Sequence, residues 1–476
     1  MSDTNVSRAR FVGREHEMAV LTTMLDEVRH SGTGLLLSIR GRRRVGKSRL
    51  VEEWCKRQGL RHVFYESTRD KRPGVELAQF AEEAARSSLG AAATFAGVAP
   101  QSWEAAFNLI AGQSTKAEPS VVVLDEFPYL FEAEPNIDAV LQRIWDRTID
   151  KKAPVLIVLI GSDLHMMEQL GQYDRPLFGR ARELVIEPLS PADIAAMTAL
   201  TGADALDAYL VCGGFPMLAE RWQRGEPFSS YLQHELTATS PLIVNGERML
   251  AAEFPTEAQA RLILEVIGSG ETTFTNISKV SGINHAGISR AIEVLVRKRA
   301  IEIMRPLSTD DATKNTRYTV ADSYLRFWLR FIGPAIGEIE RGRADMVFSS
   351  IERDWNQYRG QAVEPIIREA LRRLRPPIGR TYYVGAYWTR TNDVQVDLVG
   401  VEKERGNVQV EFVGSIKWRD HARFDASDAA TLARDRLNVP GATERTLMVG
   451  VSRSGFDEVK SLARKLDAAD IVGAFR

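Results

Sequence analysis

The sequence predicts an α/β protein built on a parallel sheet, and three observations point there. Leu35, Leu36, Leu37 and Ile39 form an aliphatic run that breaks at Gly41 and leads into G-R-R-R-V-G-K-S, followed by a helical pattern. Gly46, Lys47 and Ser48 thus stand at the spacing of a phosphate-binding loop between a strand and a helix. A second run, SVVVL at 120–124, ends in the adjacent carboxylates Asp125 and Glu126, and a third, at 155–160, ends in Gly161-Ser162-Asp163. Strand ends are where α/β sheets place their sites.

The chain of 476 residues, 44% hydrophobic and 26% charged, is ordinary for a soluble globular protein of several domains. A net charge of -1 exerts no global pull toward nucleic acid or membranes, so any such binding would come from a local patch. Cys55 and Cys212 lie far apart with no C-x-x-C, which indicates neither a disulfide framework nor a zinc site and suits a reducing compartment. The N-terminal MSDTNVSRAR lacks the apolar core of a signal peptide, and the run at 155–160 is too short to cross a bilayer. The expectation is a cytoplasmic protein that does not engage a membrane.

Upstream of the loop, Met18, Leu21, Leu25 and Val28 fall on one helical face, with Gly13-Arg14-Glu15 marking the turn into it. In the loop, Gly41, Arg42, Arg43, Arg44, Val45 and Gly46 carry the backbone N–H groups that turn toward phosphates. Lys47 reaches the terminal phosphates, the Ser48 hydroxyl ligates Mg2+, and Arg49 stands at the start of the helix. Leu50, Val51 and Trp54 give that helix an apolar stripe, and it stops near Gly59. A second strand is expected at 62–66, with helices around loops as far as Pro100.

Two carboxylates at the end of a buried strand are costly unless they meet a cation. Asp125 is therefore expected to hold Mg2+, and Glu126 to orient and deprotonate an attacking water. Ser162 is placed to act as a polar sensor, although Ser and Asp ahead of LHMMEQL would cap a helix equally well. In PLFGRARELV, Arg180 and, less favoured, Arg182 would stabilise charge on a transferring phosphoryl group, from the same chain or a neighbouring copy, or would simply be solvated. A homo-oligomer is thus among the expected states. No N-K-x-D follows a later strand, which disfavours a guanine nucleotide.

The segment F-V-G-R-E-H-E followed by spaced leucines resembles the leading segment of AAA-related ATPases, where it lies beside the adenine. The G-R-x-x-x-G-K-S loop, the D-E-F strand end, the strand ending in G-S, the P-L-F-G-R loop and a G-G-F-P turn occur in this order. Together they resemble the archaeal-type ATPase family, near the signal-transducing STAND branch of AAA-type ATPases. The resemblance implies ATP as ligand with Mg2+, an AAA-type P-loop domain at 1–190, and a helical lid and connector at 191–255. Gly214 and Pro216 of the lid turn would contact the nucleotide and transmit its state.

At 256–321 the pattern reads as a winged helix-turn-helix. Leu262, Leu264, Val266 and Ile267 mark one helix, Ile277, Val280 and Ile283 a second, and Ile288, Ile292, Leu295 and Val296 a third. Gly282 sits in the turn between the second and third. Ile301, Ile303, Tyr318 and Val320 around a polar loop would form the wing. His285, Ser289 and Arg290 lie near the face that would enter a major groove, and Arg297 and Lys298 would meet backbone phosphates of double-stranded DNA. Basic residues in a last turn also complement the helix dipole, and such modules inside ATPases equally contact proteins.

At 322–476, DSYLRFWLRF places Tyr324, Phe327, Trp328 and Phe331 on one stripe that reads as core. In the resemblance it opens the family's C-terminal region, which is similar to a PD-(D/E)XK nuclease fold. Glu364, Asp397 and Lys417 match that motif, but Ser415 stands where it wants its second carboxylate. A hydroxyl is a poor substitute for a metal-binding carboxylate. Glu411 lies on the same strand, roughly 13 Å away along it. The three residues therefore read as a remnant. The preferred expectation is an ATP-dependent regulatory switch acting on DNA or a protein. A DNA-cutting enzyme and a nucleotide-binding scaffold without hydrolysis are the alternatives.

Overall fold

A computed structural model describes residues 11–69, 74–150, 153–309, 315–381, 383–404 and 407–476. The N-terminal decapeptide and the tip of the expected wing, 310–314, lie outside the described residues. The chain divides into two compact units, Arg10–Pro188 and Leu189–Arg476.

In the first unit five parallel strands, β1 (Leu35–Arg40), β2 (Arg61–Glu66), β3 (Ser120–Asp125), β4 (Val155–Gly161) and β5 (Ala181–Val185), lie in the order β2-β3-β4-β1-β5. β4 is inserted between β3 and β1, with Leu124 opposite Leu159 and Arg40 opposite Gly161. The carboxyl ends of the three aliphatic runs are therefore neighbours. β3 and β4 are buried throughout, as continuous apolar runs require in a sheet covered on both faces. Phe80, Trp103, Phe107 and Phe127 lie in the core that covers one face. Helix Glu15–Ser31 buries Leu21, Met24, Leu25 and Val28, so Met24 is part of the inner face while Met18 is only half-buried.

The second unit begins with helices Pro191–Thr198, Gly202–Cys212, Pro216–Ala219, Phe228–Glu235 and Pro241–Glu253. Three helices follow, Ala258–Gly268, Phe274–Ser281 and His285–Arg297, then an antiparallel pair, β6 (Ile301–Met304) and β7 (Arg317–Val320). Ile263, Leu264, Val266, Ile267, Ile277, Ile288, Ile292 and Leu295 form the inner faces. Leu262, Val280 and Val296, expected inside, are exposed because each stands at the margin of its helix's apolar stripe. Gly282 adopts φ 67°, the left-handed turn that favours glycine.

Tyr324, Phe327, Trp328 and Phe331 are all buried. The Tyr324 hydroxyl donates to Leu242 O at 3.0 Å and Trp328 Nε1 to Ile243 O at 2.8 Å, so the aromatic stripe is satisfied at both polar tips. The C-terminal sheet runs β12-β11-β10-β9-β8, comprising β8 (Tyr383–Trp388), β9 (Gln395–Glu404), β10 (Asn407–Lys417), β11 (Leu447–Ser452) and β12 (Arg464–Leu466). β8, β9 and β10 are antiparallel neighbours, whereas β10, β11 and β12 are parallel. Among the described residues no single helix is long and apolar enough to cross a membrane.

Candidate active site

The loop 41–46 leaves β1 and turns directly into helix Lys47–Arg57, whose N-cap is Gly46 at φ 91°. A Cβ on Gly41 would strike the Ile186 carbonyl oxygen, so only glycine fits where the loop starts. Lys47 is buried, and its ammonium donates to Gly41 O at 2.8 Å and Arg42 O at 2.9 Å. Burial pushes its pKa down to about 8, opposed by the nearby charges of Glu126 and Asp125. Arg42 and Arg44 flank Arg43 in the loop, and Arg49 lies in the helix's first turn. Val45, buried, is gripped from behind: Arg14, itself paired with Glu17 at 2.8 Å, donates to Val45 O at 3.0 Å. The leading F-V-G-R-E segment thus holds the loop's backbone, a role its sequence did not disclose.

Across from the loop, the Asp125 carboxylate accepts from the Ser48 hydroxyl and from the Glu126 N–H at 2.8 Å. Burial nevertheless pushes its pKa up to about 6. For Mg2+ the donor set fits: a hydroxyl and a carboxylate, both hard oxygen ligands, already converge. Glu126 takes a left-handed backbone, φ 48°, which turns its side chain at the strand end. Its two carboxylate oxygens accept from Ser162 Oγ at 3.1 and 2.9 Å. Of the two readings at 162–163, the helix cap falls to Asp163. Asp163 caps helix Leu164–Leu170, accepting from Met166 N at 3.0 Å, and Ser162 faces Glu126. Arg43 Nε donates to Ser162 Oγ at 3.4 Å, and another arm of the guanidinium reaches the Tyr129 hydroxyl.

Other expected residues lie elsewhere. Arg180 makes two bonds to Asp146, at 2.9 and 3.1 Å, and one to Pro176 O at 3.0 Å, while Arg182 holds Glu27 at 2.6 Å. Gly214 and Pro216 belong to the second unit. Gly214 O accepts from Leu189 N at 2.9 Å, and Pro216 opens helix Pro216–Ala219. On helix His285–Arg297, His285, Ser289, Arg290 and Arg297 are exposed, with His285 edge-on to Phe274 at 5.3 Å. Lys298, expected at backbone phosphates, pairs instead with Glu257 at 3.1 Å, bonds to Glu253 O and lies 5.3 Å over the Phe254 ring, so its charge is met within the chain.

The residues expected as a nuclease-like remnant are likewise paired within the chain. Glu364 opens helix Glu364–Arg373 and pairs with Arg368 at 2.5 Å, one turn on. Arg368 Nε also donates to Asp397 O at 3.2 Å. The Asp397 carboxylate accepts from Ile416 N at 2.8 Å and Ser415 Oγ at 3.2 Å, and Lys417 faces Asp428 at 3.5 Å. Glu411 accepts from Arg380 N at 3.1 Å. Among the described residues no group of three or more His, Cys, Asp or Glu is arranged to hold a metal ion.

Residues 11–216 match the family model of an ATPase domain predominantly from Archaea. This segment is similar to that ATPase domain. The ATPase domain contains the loop, both strand-end carboxylates and the G-G-F-P turn. Residues 328–429 match the family described as "Archaea bacterial proteins of unknown function". An uncharacterized protein of Methanocaldococcus jannaschii is 26% identical over 418 residues, covering 86% of this chain and 88% of its own. Among solved structures, a Walker-type ATPase of Pyrococcus abyssi aligns with TM-score 0.50 and 18% identity, over 68% of this chain and 97% of that one. The likeness extends the P-loop fold seen here to a second protein.

Proposed function

We propose that the chain is a Mg2+-dependent, ATP-binding and ATP-hydrolysing regulatory switch that acts on DNA or a protein partner through its second unit. The observation that carries this reading is the convergence at three adjacent strand ends. A buried Lys47 stands beside a Ser48–Asp125 pair, and Glu126 is held by Ser162. Lys47 would bind the terminal phosphates, Ser48 and Asp125 would hold Mg2+, and Glu126 would orient water and take its proton. Mg2+, when bound there, would neutralise charge on the phosphates.

For the switch, the support is packing within the second unit. A methyl on Gly213 would lie 2.5 Å from Tyr324 N, and Phe215 meets the Tyr324 ring at 5.8 Å, so the G-G-F-P turn rests on the aromatic segment. Helix Gly202–Cys212 carries Asp207, which pairs with Arg453 at 2.9 Å and with Arg359, and both arginines also hold Asp420. Movement of helix Gly202–Cys212 would be passed to the C-terminal sheet through these pairs. We read 256–321 as a winged helix whose exposed His285, Ser289, Arg290 and Arg297 meet the partner. Its hairpin is joined to β8 through Leu307 N to Ala386 O at 2.8 Å and Arg317 over Trp388 at 4.4 Å. We read 322–476 as a nuclease-like fold without cutting activity, since Arg368 occupies the Glu364 carboxylate. Phosphate release from ATP, dependent on Mg2+ and lost with EDTA, tests the reading; a metal-dependent cut in plasmid DNA that Asp397→Ala abolishes would replace it with the nuclease.

Nucleotide affinity is expected to depend on pH with two limbs. In the free protein Lys47 loses its proton as pH rises through about 8, so ATP binding weakens above that point, by up to ~10-fold per pH unit. Asp125 gains a proton as pH falls through about 6, so Mg2+-dependent binding weakens below it. Calorimetric titration between these limits and beyond them checks both signs.

A further inference from the structure

We propose that Arg43 contacts the terminal phosphate of the nucleotide alongside Lys47 and stabilises charge on it during hydrolysis, an arginine supplied in cis by the loop itself. The proposal rests on the nucleotide-site reading above and deepens it. Arg43 is the second of the four residues between Gly41 and Gly46. Its guanidinium leaves the loop and lies against the ends of β3 and β4, donating to Ser162 Oγ at 3.4 Å and to the Tyr129 hydroxyl. Ser162 Oγ in turn donates to both oxygens of Glu126. Arg43 therefore stands on the side of the site where the water-activating carboxylate is, one hydroxyl away from it.

Charge points the same way. Arg43 and Lys47 are two cations of one loop, Arg43 half-buried and Lys47 buried. An anion between them would relieve the repulsion, and a terminal phosphate is the anion that belongs there. Lys47 is turned inward to the carbonyls of Gly41 and Arg42, which leaves the hydrolytic side to Arg43. The arginine offered by the sequence for this role, Arg180, is taken by Asp146, and Arg182 by Glu27.

In hydrolysis a water oxygen bonds to the terminal phosphorus, Glu126 accepts the water's proton, and the bridging oxygen leaves on ADP with the electron pair. Arg43 makes no covalent bond. Its planar fork pairs with two phosphate oxygens and balances their charge as the bond breaks. A terminal phosphate would compete with Tyr129 and Ser162 for the guanidinium, so ADP and ATP leave Arg43 in different places.

The test uses the full chain with Arg43→Ala and Arg43→Gln, the second retaining a hydrogen-bonding group toward Ser162 and Tyr129 without the charge. ADP and a non-hydrolysable ATP analogue are titrated by calorimetry with Mg2+, and phosphate release is measured at saturating ATP. The expected result is near-wild-type ADP affinity in both variants, loss of the analogue's advantage over ADP by about 10-fold, and turnover lower by about 10³-fold. An unchanged analogue-to-ADP ratio with unchanged turnover overturns the role of Arg43 alone. Equal loss of both affinities in folded variants overturns it too, by making Arg43 a support of the loop. Failure of the wild-type chain to bind ADP overturns the nucleotide-site reading itself.

Discussion

Lys47→Met is expected to abolish ATP binding while leaving the free protein as stable as the wild type. The side chain is 7% exposed, and burial moves its pKa from the ordinary lysine value to about 8, a cost of about 3 kcal/mol in the free protein at neutral pH. Methionine fills a similar volume without that cost. Against this, the carbonyls of Gly41 and Arg42 lose a donor, which costs about 1–3 kcal/mol. The two nearly cancel. Nucleotide binding does not survive, because the loop loses the cation that faces the phosphates. Thermal unfolding reads both parts: ligand at a hundred times its Kd stabilises the wild type by about 2.7 kcal/mol, and the variant should show no ligand-induced rise. A rise equal to the wild type's would remove Lys47 from the site.

Glu126→Gln should retain ATP and lose turnover by roughly 10²–10⁴-fold, the contribution expected of a positioned general base. The substitution is well isolated. Glutamine has the same shape, its carbonyl oxygen can still accept from Ser162, and at φ 48° it is strained no more than glutamate. What disappears is the carboxylate proposed to accept the water's proton. Single-turnover hydrolysis separates the chemical step from product release, and filter retention of labelled ATP shows whether binding survives. Turnover equal to the wild type's would assign the water to another group.

The parts of the site visible in the sequence were those carried by contiguous motifs. The loop from Gly41 to Ser48 and the Asp125-Glu126 strand end are read from adjacent residues whose chemistry demands that order. At 162–163 the sequence left a strand-end role and a helix cap open, and the coordinates give the cap to Asp163 and a bond to Glu126 to Ser162. What escaped reading were contacts between distant segments. Arg14 reaches Val45, and Arg43 reaches Ser162 and Tyr129, across separations that no periodicity encodes. Lys298 looked free because its partners, Glu257 and Phe254, precede it by three helices. Arg368 is different: its i,i+4 spacing from Glu364 on a helix was a legible signal that the glutamate is paired. In the three-helix segment the helices were placed correctly, but Leu262, Val280 and Val296 face outward, because on short helices one apolar residue at the stripe's edge fits either side.

Residues 41–48 are expected to enclose a triphosphate opposite Asp125 and Glu126. A crystal structure of the Glu126→Gln chain grown with ATP and Mn2+ tests it most directly, because the anomalous signal of Mn2+ locates the ion independently of any fitted nucleotide. The expected result is one peak between the Ser48 hydroxyl and the Asp125 carboxylate, with three phosphates along the loop. A peak elsewhere, or a nucleotide bound away from Lys47, would contradict it.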